Sequence, residues 1–326
     1  MKAAVHDRYG SPDDVRIVEL ERPAPTGDQV LVRVQAASVN RADLDYIEAR
    51  PWFLRLFIGI RAPRNPRLGF DVAGVVEDLG PRATAFKRGD RVFGELYAFG
   101  HGAFAEFVVA PQGALSAIPD GMSFEEAAAL PHSALLAVQS LRRGAGRAVT
   151  PGSEVLIGGA SGNVGPFLVQ IAKALGAEVT GVCSPAKVEF VRSLGADHVI
   201  DYRTTDYTRD GKRYDWIVDV DSHHSIMAVR RALKPGGVYQ TLGGNATALF
   251  DALIVGPIAS RATGKSMGLL LDWKPFPAED VAALKALIAA GNVRPVIDRT
   301  YPLSDVAEAL RYVAAGRPMG KVVITV

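Results

Sequence analysis

The segment of residues 153–187, SEVLIGGASGNVGPFLVQIAKALGAEVTGVCSPAK, constrains this chain more than any other. Val155, Leu156 and Ile157 form a short apolar run, suited to a strand buried on both faces. Gly158, Gly159, Gly162 and Gly165 follow; glycine lets the chain turn sharply and lets backbone N–H groups approach a pyrophosphate. The spacing then predicts a helix from near Asn163, with apolar residues at Val164, Phe167, Leu168, Ile171, Ala172 and Leu175. Pro166 is tolerated because it lies in the first turn, and Gly176 supplies the stop. A second strand runs from Glu178 to Cys183. The helix N-terminus points its free N–H groups and positive dipole end at the glycine turn, where a phosphate is stabilised. Gly159, Ala160, Ser161, Gly162, Asn163 and Val164 are therefore the expected cofactor loop. A lone glycine pattern also serves plain chain reversal, and its place between a strand and a helix of correct period argues for the dinucleotide.

The end of the second strand selects the cofactor. An NAD site wants an acidic residue there, to accept from the ribose 2′-hydroxyl. This chain has Cys183-Ser184-Pro185-Ala186-Lys187, and Glu178 sits at the opposite end. A hydroxyl and a lysine without a carboxylate suit a 2′-phosphate, so NADPH is expected. Ser184 also reads as a helix N-cap before Pro185, and Lys187 also reads as a solvated surface lysine.

Further strands are predicted at 197–202, 216–220, 238–242 and 267–271, alternating with helices in the earlier part of the run. Six such strands make a doubly wound parallel sheet with ligands at the C-terminal strand ends. That puts Tyr202, Asp221, Ser222 and the turn with Leu242, Gly243 and Gly244 beside the cofactor. Tyr202 reads equally as an adenosine contact and as a half-buried aromatic. The first part of the chain differs: Gln29–Ala37, Val72–Val76 and runs near 91–93 and 106–109 are strand-like and closely punctuated by Gly and Pro. The tail at 322–326 is strand-like beyond a helix at 278–290. The expected organisation is a β-rich domain over 1–122 and 273–326, with a nucleotide domain inserted over 123–272.

Composition excludes several classes. A net charge of +2 over 326 residues argues against attraction to nucleic acid or a membrane surface. No apolar run reaches a membrane span, and the first residues read as a strand. The single cysteine, Cys183, excludes an internal disulfide and suits a reducing cytoplasm.

The runs Ser38-Val39-Asn40, Gly69-Phe70-Asp71-Val72-Ala73-Gly74-Val75-Val76, Gly89-Asp90-Arg91-Val92-Phe93-Gly94 and Gly102-Ala103-Phe104-Ala105-Glu106, with the glycine turn, carry a resemblance. So do Leu194-Gly195-Ala196-Asp197, Leu233-Lys234-Pro235-Gly236-Gly237 and Gly320-Lys321-Val322. Together they resemble the medium-chain dehydrogenase/reductase superfamily, in its zinc-free quinone oxidoreductase branch, over essentially the whole chain. The resemblance implies an α/β protein: a GroES-like β-rich catalytic domain plus a Rossmann domain with a doubly wound parallel sheet. It also implies homodimers joined through the sixth strand, here 267–271.

Zinc members of the superfamily hold a catalytic metal, and the residues here argue against one. The Gly-His-Glu segment stands as Gly69-Phe70-Asp71, the first cysteine ligand falls near Asn40, and no second cysteine exists for a structural site. His223 and His224 are adjacent and diverge along a helix start. His132 lies near where the resemblance puts the nicotinamide. Without a metal, catalysis rests on positioning and on polarity at the developing enolate oxygen. Asn40 is the expected donor to that oxygen. Some quinone oxidoreductases place a tyrosine shortly after this asparagine; Asp45 matches that position, with Tyr46 one step later, so a catalytic Tyr46 is off register and a solvent proton is the alternative.

The segment Arg50-Pro51-Trp52-Phe53-Leu54-Arg55-Leu56-Phe57-Ile58-Gly59-Ile60-Arg61 lies where the resemblance puts the substrate loop. Asp45, Trp52 and Phe53 are the expected substrate-pocket residues. The same segment reads equally as a hydrophobic patch packed on its own domain with a basic rim. The preferred function is hydride transfer from NADPH to a small-molecule quinone or α,β-unsaturated carbonyl. Two alternatives are a 2-enoyl-thioester reductase and, in another class, an NADPH-binding protein with little turnover, like some lens crystallins resembling this family.

Overall fold

A computed structural model describes residues 1–142 and 146–326, which divide into two compact units. One comprises Met1–Leu135, Pro275–Ala282 and Pro295–Val326; the other comprises Leu136–Lys274 and Ala283–Arg294.

The first unit is built on a seven-stranded sheet. Ile297–Pro302, Lys321–Thr325, Gln29–Val39, Asp71–Leu79, Arg91–Glu95 and Leu115–Ala117 lie side by side, and Phe107–Pro111 also pairs with Gln29–Val39. The long central strand places β-branched Val30, Val32 and Val34 at every second position, which packs well on a pleated surface, and then runs through the small residues Ala36, Ala37 and Ser38. Val30, Val32, Val34, Val72, Val92, Val322 and Ile324 are buried in its core with Phe70 and Phe104. The register decides the rest. Ser38 lies opposite Asp71, Asp71 opposite Glu95, and Val323 opposite Ser38. Directly paired residues share a face, and so do residues two apart on one strand. Asn40, two beyond Ser38, and Lys321, two before Val323, therefore join Ser38, Asp71 and Glu95 on one face.

The second unit contains a six-stranded, fully parallel sheet. Its spatial order is His198–Asp201, Glu178–Cys183, Glu154–Gly158, Tyr214–Asp219, Leu233–Thr241 and Ser266–Leu269. In chain order this is 3-2-1-4-5-6, so the order reverses between the first and fourth strands, and a crevice opens there at the C-terminal ends. Strands buried on both faces explain the continuous apolar runs such as Val155-Leu156-Ile157. Helices Gly165–Ala174, Ile226–Ala232 and Ala246–Thr263 serve as crossovers.

The glycine-loop helix begins at Gly165, two residues later than the spacing predicts. Gly162 N–H bonds the Gly159 carbonyl first, closing a turn that the helix cannot include. Gly176 takes φ +78° at the helix end, as its role as a stop requires. The sixth strand ends at Leu269, short of the predicted 271. No helix among the described residues is long and apolar enough to cross a membrane.

Candidate functional site

The glycine loop, the 219–222 turn and the 241–245 turn all leave the C-terminal edge of the parallel sheet, as a doubly wound parallel sheet requires. Three glycines there are steric necessities. Gly159 sits at φ +71°, a left-handed conformation that favours glycine. A Cβ on Gly158 would lie 2.4 Å from Asp219 Oδ1, and one on Gly165 would lie 2.3 Å from the Gly159 carbonyl oxygen. The helix start thus presses directly on the loop, bringing its free N–H groups to it. Gly162 is different: its nearest neighbour to an added Cβ is 3.6 Å away, so this side of the loop is open. Ala160 and Ser161 are buried, while Asn163 is half-buried. The loop is a cradle held tight on the protein side and open on the other, which fits the pyrophosphate of a dinucleotide.

The neighbouring turns are locked to one another. Ser222 and Gly244 form a bridge, Ser222 N–H donates to the Gly243 carbonyl, and Leu242 N–H donates to the Asp219 carbonyl. Asp221 is exposed, with its carboxylate 3.4 Å from His223. His223 and His224 precede the helix, whose N-cap is Ser225. At the exit of strand Glu178–Cys183, Ser184 occupies an N-cap position but its side chain makes no cap hydrogen bond. Lys187 closes that turn through its backbone N–H to the Ser184 carbonyl. Glu178, at the far end, is taken by His198 and Lys212, whose hydrogen bonds hold its carboxyl below the usual range. Tyr202 follows the next strand with 56% of its surface exposed, more than a half-buried aromatic would show.

In the other unit the shared sheet face carries a buried polar network. Lys321 is fully buried, and its ammonium donates to Asn40 Oδ1 at 2.5 Å and Ser133 Oγ at 3.1 Å, and reaches Asp71 Oδ2 at 3.5 Å. Asp71 Oδ2 also accepts from Ser38 Oγ at 2.9 Å and Asn40 Nδ2 at 2.8 Å, while Oδ1 accepts from the His132 backbone N–H at 3.0 Å. Burial lowers the pKa of Lys321, and the charges of Asp71 and Asp43 oppose that. Asp43 accepts from the Asn40 backbone N–H at 2.8 Å; burial pushes its carboxyl up to about 7.

Next to this network, His132 Nδ1 lies 2.6 Å from Glu95 Oε1. Burial raises Glu95, and the Glu95 charge raises His132 against the burial of its own ring. The two groups therefore titrate as a coupled pair. Phe70 packs edge-on against His132 and Tyr97, with ring centroids 5.1 and 5.3 Å away. His101 lies against Phe70 and Tyr46, and burial lowers its pKa to about 4, so it is neutral at pH 7.

This geometry changes the roles expected of the acceptor-side residues. The Asn40 amide is oriented by Lys321 and Ser133, which both aim donors at Oδ1. Its Nδ2 hydrogens face Asp71 and, at 3.5 Å, the Ser38 carbonyl. A free donor to a substrate oxygen is not what this side chain presents; it ties three strands and a helix start together. Tyr46 donates its hydroxyl hydrogen to the Asn65 carbonyl at 2.9 Å, and burial pushes its pKa up to about 12. Asp45 is half-buried and pairs with Arg41 at 3.4 Å. Trp52 and Phe53 sit on a short helical turn and are 74% and 50% exposed, while Ile58 packs against the core and the Tyr9 hydroxyl donates to the Gly59 carbonyl, so the segment is anchored to its own domain with its aromatic side chains outward. Leu56, Phe57 and Ile60 are exposed beside them.

The donor set of a zinc site is not assembled here. Phe70 stands at the histidine position, and Lys321 already occupies the space between Asn40 and Asp71. Among the described residues, no group of three or more His, Cys, Asp or Glu side chains is placed to hold a metal ion. Glu95, Ser133 and Lys321 escaped the sequence reading. The available signal was a charge at the end of an otherwise apolar run: Glu95 after Val92-Phe93-Gly94, and Lys321 before Val322-Val323-Ile324.

Comparisons with known proteins agree with this architecture. Residues 26–120 match the alcohol dehydrogenase GroES-like domain family, and residues 194–324 match the family described as zinc-binding dehydrogenase. The human mitochondrial NAD(P)H oxidoreductase RTN4IP1 is 34% identical, covering 100% of this chain and 89% of its own length. The chloroplast envelope quinone oxidoreductase homolog of Arabidopsis thaliana is 31% identical over 99% of this chain and 98% of its own. The structure of the quinone oxidoreductase from Coxiella burnetii superposes with a TM-score of 0.87 at 27% identity, covering 100% of this chain and 99% of that one. A GroES-like sheet, a 3-2-1-4-5-6 parallel sheet with a glycine cradle, and full-length relatives of this kind lead to one conclusion: the chain belongs to the medium-chain dehydrogenase/reductase superfamily, among its quinone oxidoreductases, and is an oxidoreductase that uses a nicotinamide cofactor.

Proposed function

We propose that the protein transfers hydride from NADPH to a quinone or an α,β-unsaturated carbonyl without a metal. The observation that carries the cofactor choice is the exit of strand Glu178–Cys183, where the chain continues into Ser184 and Lys187 and the strand itself ends without an acidic residue. The glycine cradle, Tyr202, Asp221 and the Leu242-Gly243-Gly244 turn are the remaining cofactor contacts in this reading. Bound there, the nicotinamide supplies hydride.

The chain's own contribution on the acceptor side is positional. Lys321 takes the role of an internal cation, neutralising Asp71 where a metal-dependent relative would need an ion. This supports zinc independence, because an ammonium at that point and a divalent cation exclude each other. Asn40 acts as a positioning residue, and the solvent proton replaces Tyr46. Trp52 and Phe53, with Leu56 and Phe57 beside them, offer exposed apolar surface to a lipophilic acceptor, and Asp45 borders it. The open edge of strand Ser266–Leu269, with exposed Leu271, Phe250 and Ile258 nearby, supports a homodimer through that strand. Neither a nucleic acid nor a membrane partner is part of this reading, and the compartment proposed is the cytoplasm.

Mixing the protein with NADPH and 1,2-naphthoquinone, then with crotonyl-CoA, tests the reading. Quinone-dependent NADPH oxidation is the expected result. Turnover of crotonyl-CoA alone would favour the thioester alternative, and tight NADPH binding with neither turnover would leave only the binding role. Lys187→Glu should lower the preference for NADPH over NADH by about 10- to 100-fold, the worth of one charge-assisted hydrogen bond. An unchanged preference would refute the cofactor assignment.

A further inference from the structure

The N-terminal edge of the parallel sheet carries a feature that the redox reading leaves unused. Three chain segments enter the sheet there: Thr208–Arg213 ahead of strand Tyr214–Asp219, Arg230 and Arg231 ahead of Leu233–Thr241, and Thr263–Lys265 ahead of Ser266–Leu269. They line a cavity of about 790 Å³. Arg209, Lys212, Arg213, Arg230, Arg231 and Lys265 all contribute to its wall, in a chain whose net charge is only +2.

Helix ends and ion pairs explain part of this charge. Lys265 donates to the carbonyls of Arg230 and Leu233 at 2.7 and 2.6 Å, capping the helix that ends at Ala232. Arg209 lies 3.6 Å from Asp206, and Lys212 lies 3.4 Å from Glu178. Arg213, Arg230 and Arg231 have no carboxylate partner among the described residues. Like charges so close repel: after burial, the charges of Arg213 and Arg230 hold the Lys265 ammonium below its usual range. An anion in the cavity would relieve that repulsion.

We propose that this cavity is a second binding site, for a soluble small molecule bearing several phosphate groups. Guanidinium forks match phosphate oxygens two at a time, which a single carboxylate would not saturate across three arginines. The volume is that of a nucleotide-sized ligand. None of the lining residues is aromatic, so the cavity lacks the stacking platform that single-stranded nucleic acid requires. The dinucleotide cradle lies at the opposite end of strands about 20 Å long, so the two sites do not overlap. The inference goes beyond the redox reading and does not depend on it.

Calorimetric titration of the whole protein with sodium tripolyphosphate, in saturating NADPH to occupy the cradle, tests the site. One equivalent should bind, with affinity falling at least tenfold between 0.05 and 0.3 M salt. Arg213→Glu/Arg230→Glu should weaken binding at least tenfold and leave NADPH affinity within twofold. Arg213→Gln, which introduces no new charge, should weaken it by a smaller factor and guards against misfolding of the double variant. No binding by the native chain, or equal binding by the double variant, overturns the proposal. Vesicles carrying phosphatidylinositol bisphosphate are the second arm: retention on them that survives excess tripolyphosphate overturns the soluble-ligand assignment.

Discussion

Replacing Lys321 by methionine isolates the electrostatic centre of the β-rich unit. The two side chains have similar length, so the change removes a charge and three donors with little change in packing. In the native chain the ammonium contacts Asn40, Ser133 and Asp71, all of them buried. Its loss leaves the Asp71 carboxylate without a compensating charge and Asn40 Oδ1 with only the 3.3 Å bond from Ser133. Removing one partner of a buried ion pair destabilises by about 3–5 kcal/mol. Relief of the lysine's own desolvation offsets part of this, so the lower end, about 3 kcal/mol, is expected. Against a total of about 5–15 kcal/mol that is a large share. In urea it moves the midpoint down by about 1–2 M at a slope of about 2 kcal/mol per M. Circular dichroism during urea titration reads it directly. Adding Asp71→Asn should recover at least half the loss, because the second charge is then gone and the Asn40 amide can turn its oxygen toward the new amide. If Lys321→Met is as stable as the native chain within about 1 kcal/mol, the ammonium is not compensating Asp71. A double variant no more stable than the single one would refute the pairing equally.

Three further outcomes follow from the same geometry. Gly165→Val should abolish NADPH binding in a cofactor-fluorescence titration, since its Cβ would lie 2.3 Å from the Gly159 carbonyl oxygen and force the loop open. Asp43→Asn should flatten the dependence of stability on pH. The native carboxyl, raised to about 7, holds a proton that the unfolded chain releases near pH 4, so stability falls as pH rises between those values, and an amide at this position removes that fall. A slope between pH 4 and 7 equal to the native one would count against it. Trp52→Ser should raise the KM for an apolar quinone several-fold and leave the melting temperature nearly unchanged, because the indole is 74% exposed; a large drop in melting temperature would show that the ring is packed in solution.

The nucleotide unit was legible from local pattern. A both-faces-buried strand, a glycine turn, a 3.6-residue period and a C-terminal glycine all act within about 25 residues, and together they have one physical reading. The end of the second strand is equally local, and this is why Ser184 and Lys187 stand out beside the absent acid. The details that slipped were boundaries: the helix starts at Gly165 because the Gly162–Gly159 bond closes a turn first.

The polar network of the other unit is of another kind. Lys321 and Asn40 are 281 positions apart, and Glu95 and His132 are 37 apart. Only the pairing of Val322 with Val39, and of Asp71 with both Ser38 and Glu95, brings them to one face. A one-residue slip in that register would turn the lysine to the opposite face. The sequence could therefore say that Phe70 replaces a histidine ligand and that Asn40 belongs to the site. It could not say that Asn40's hydrogens are already committed, because a hydrogen-bond partner is a matter of distance, not of composition. Likewise Trp52 and Phe53 read equally as core and as surface until their exposure was known. The sequence by itself determined the fold and the nicotinamide class of cofactor, through periodicity and through the glycine turn between strand and helix. The tertiary structure alone decided which side chain meets Asp71 and Asn40, since that depends on strands far apart in the chain meeting in register.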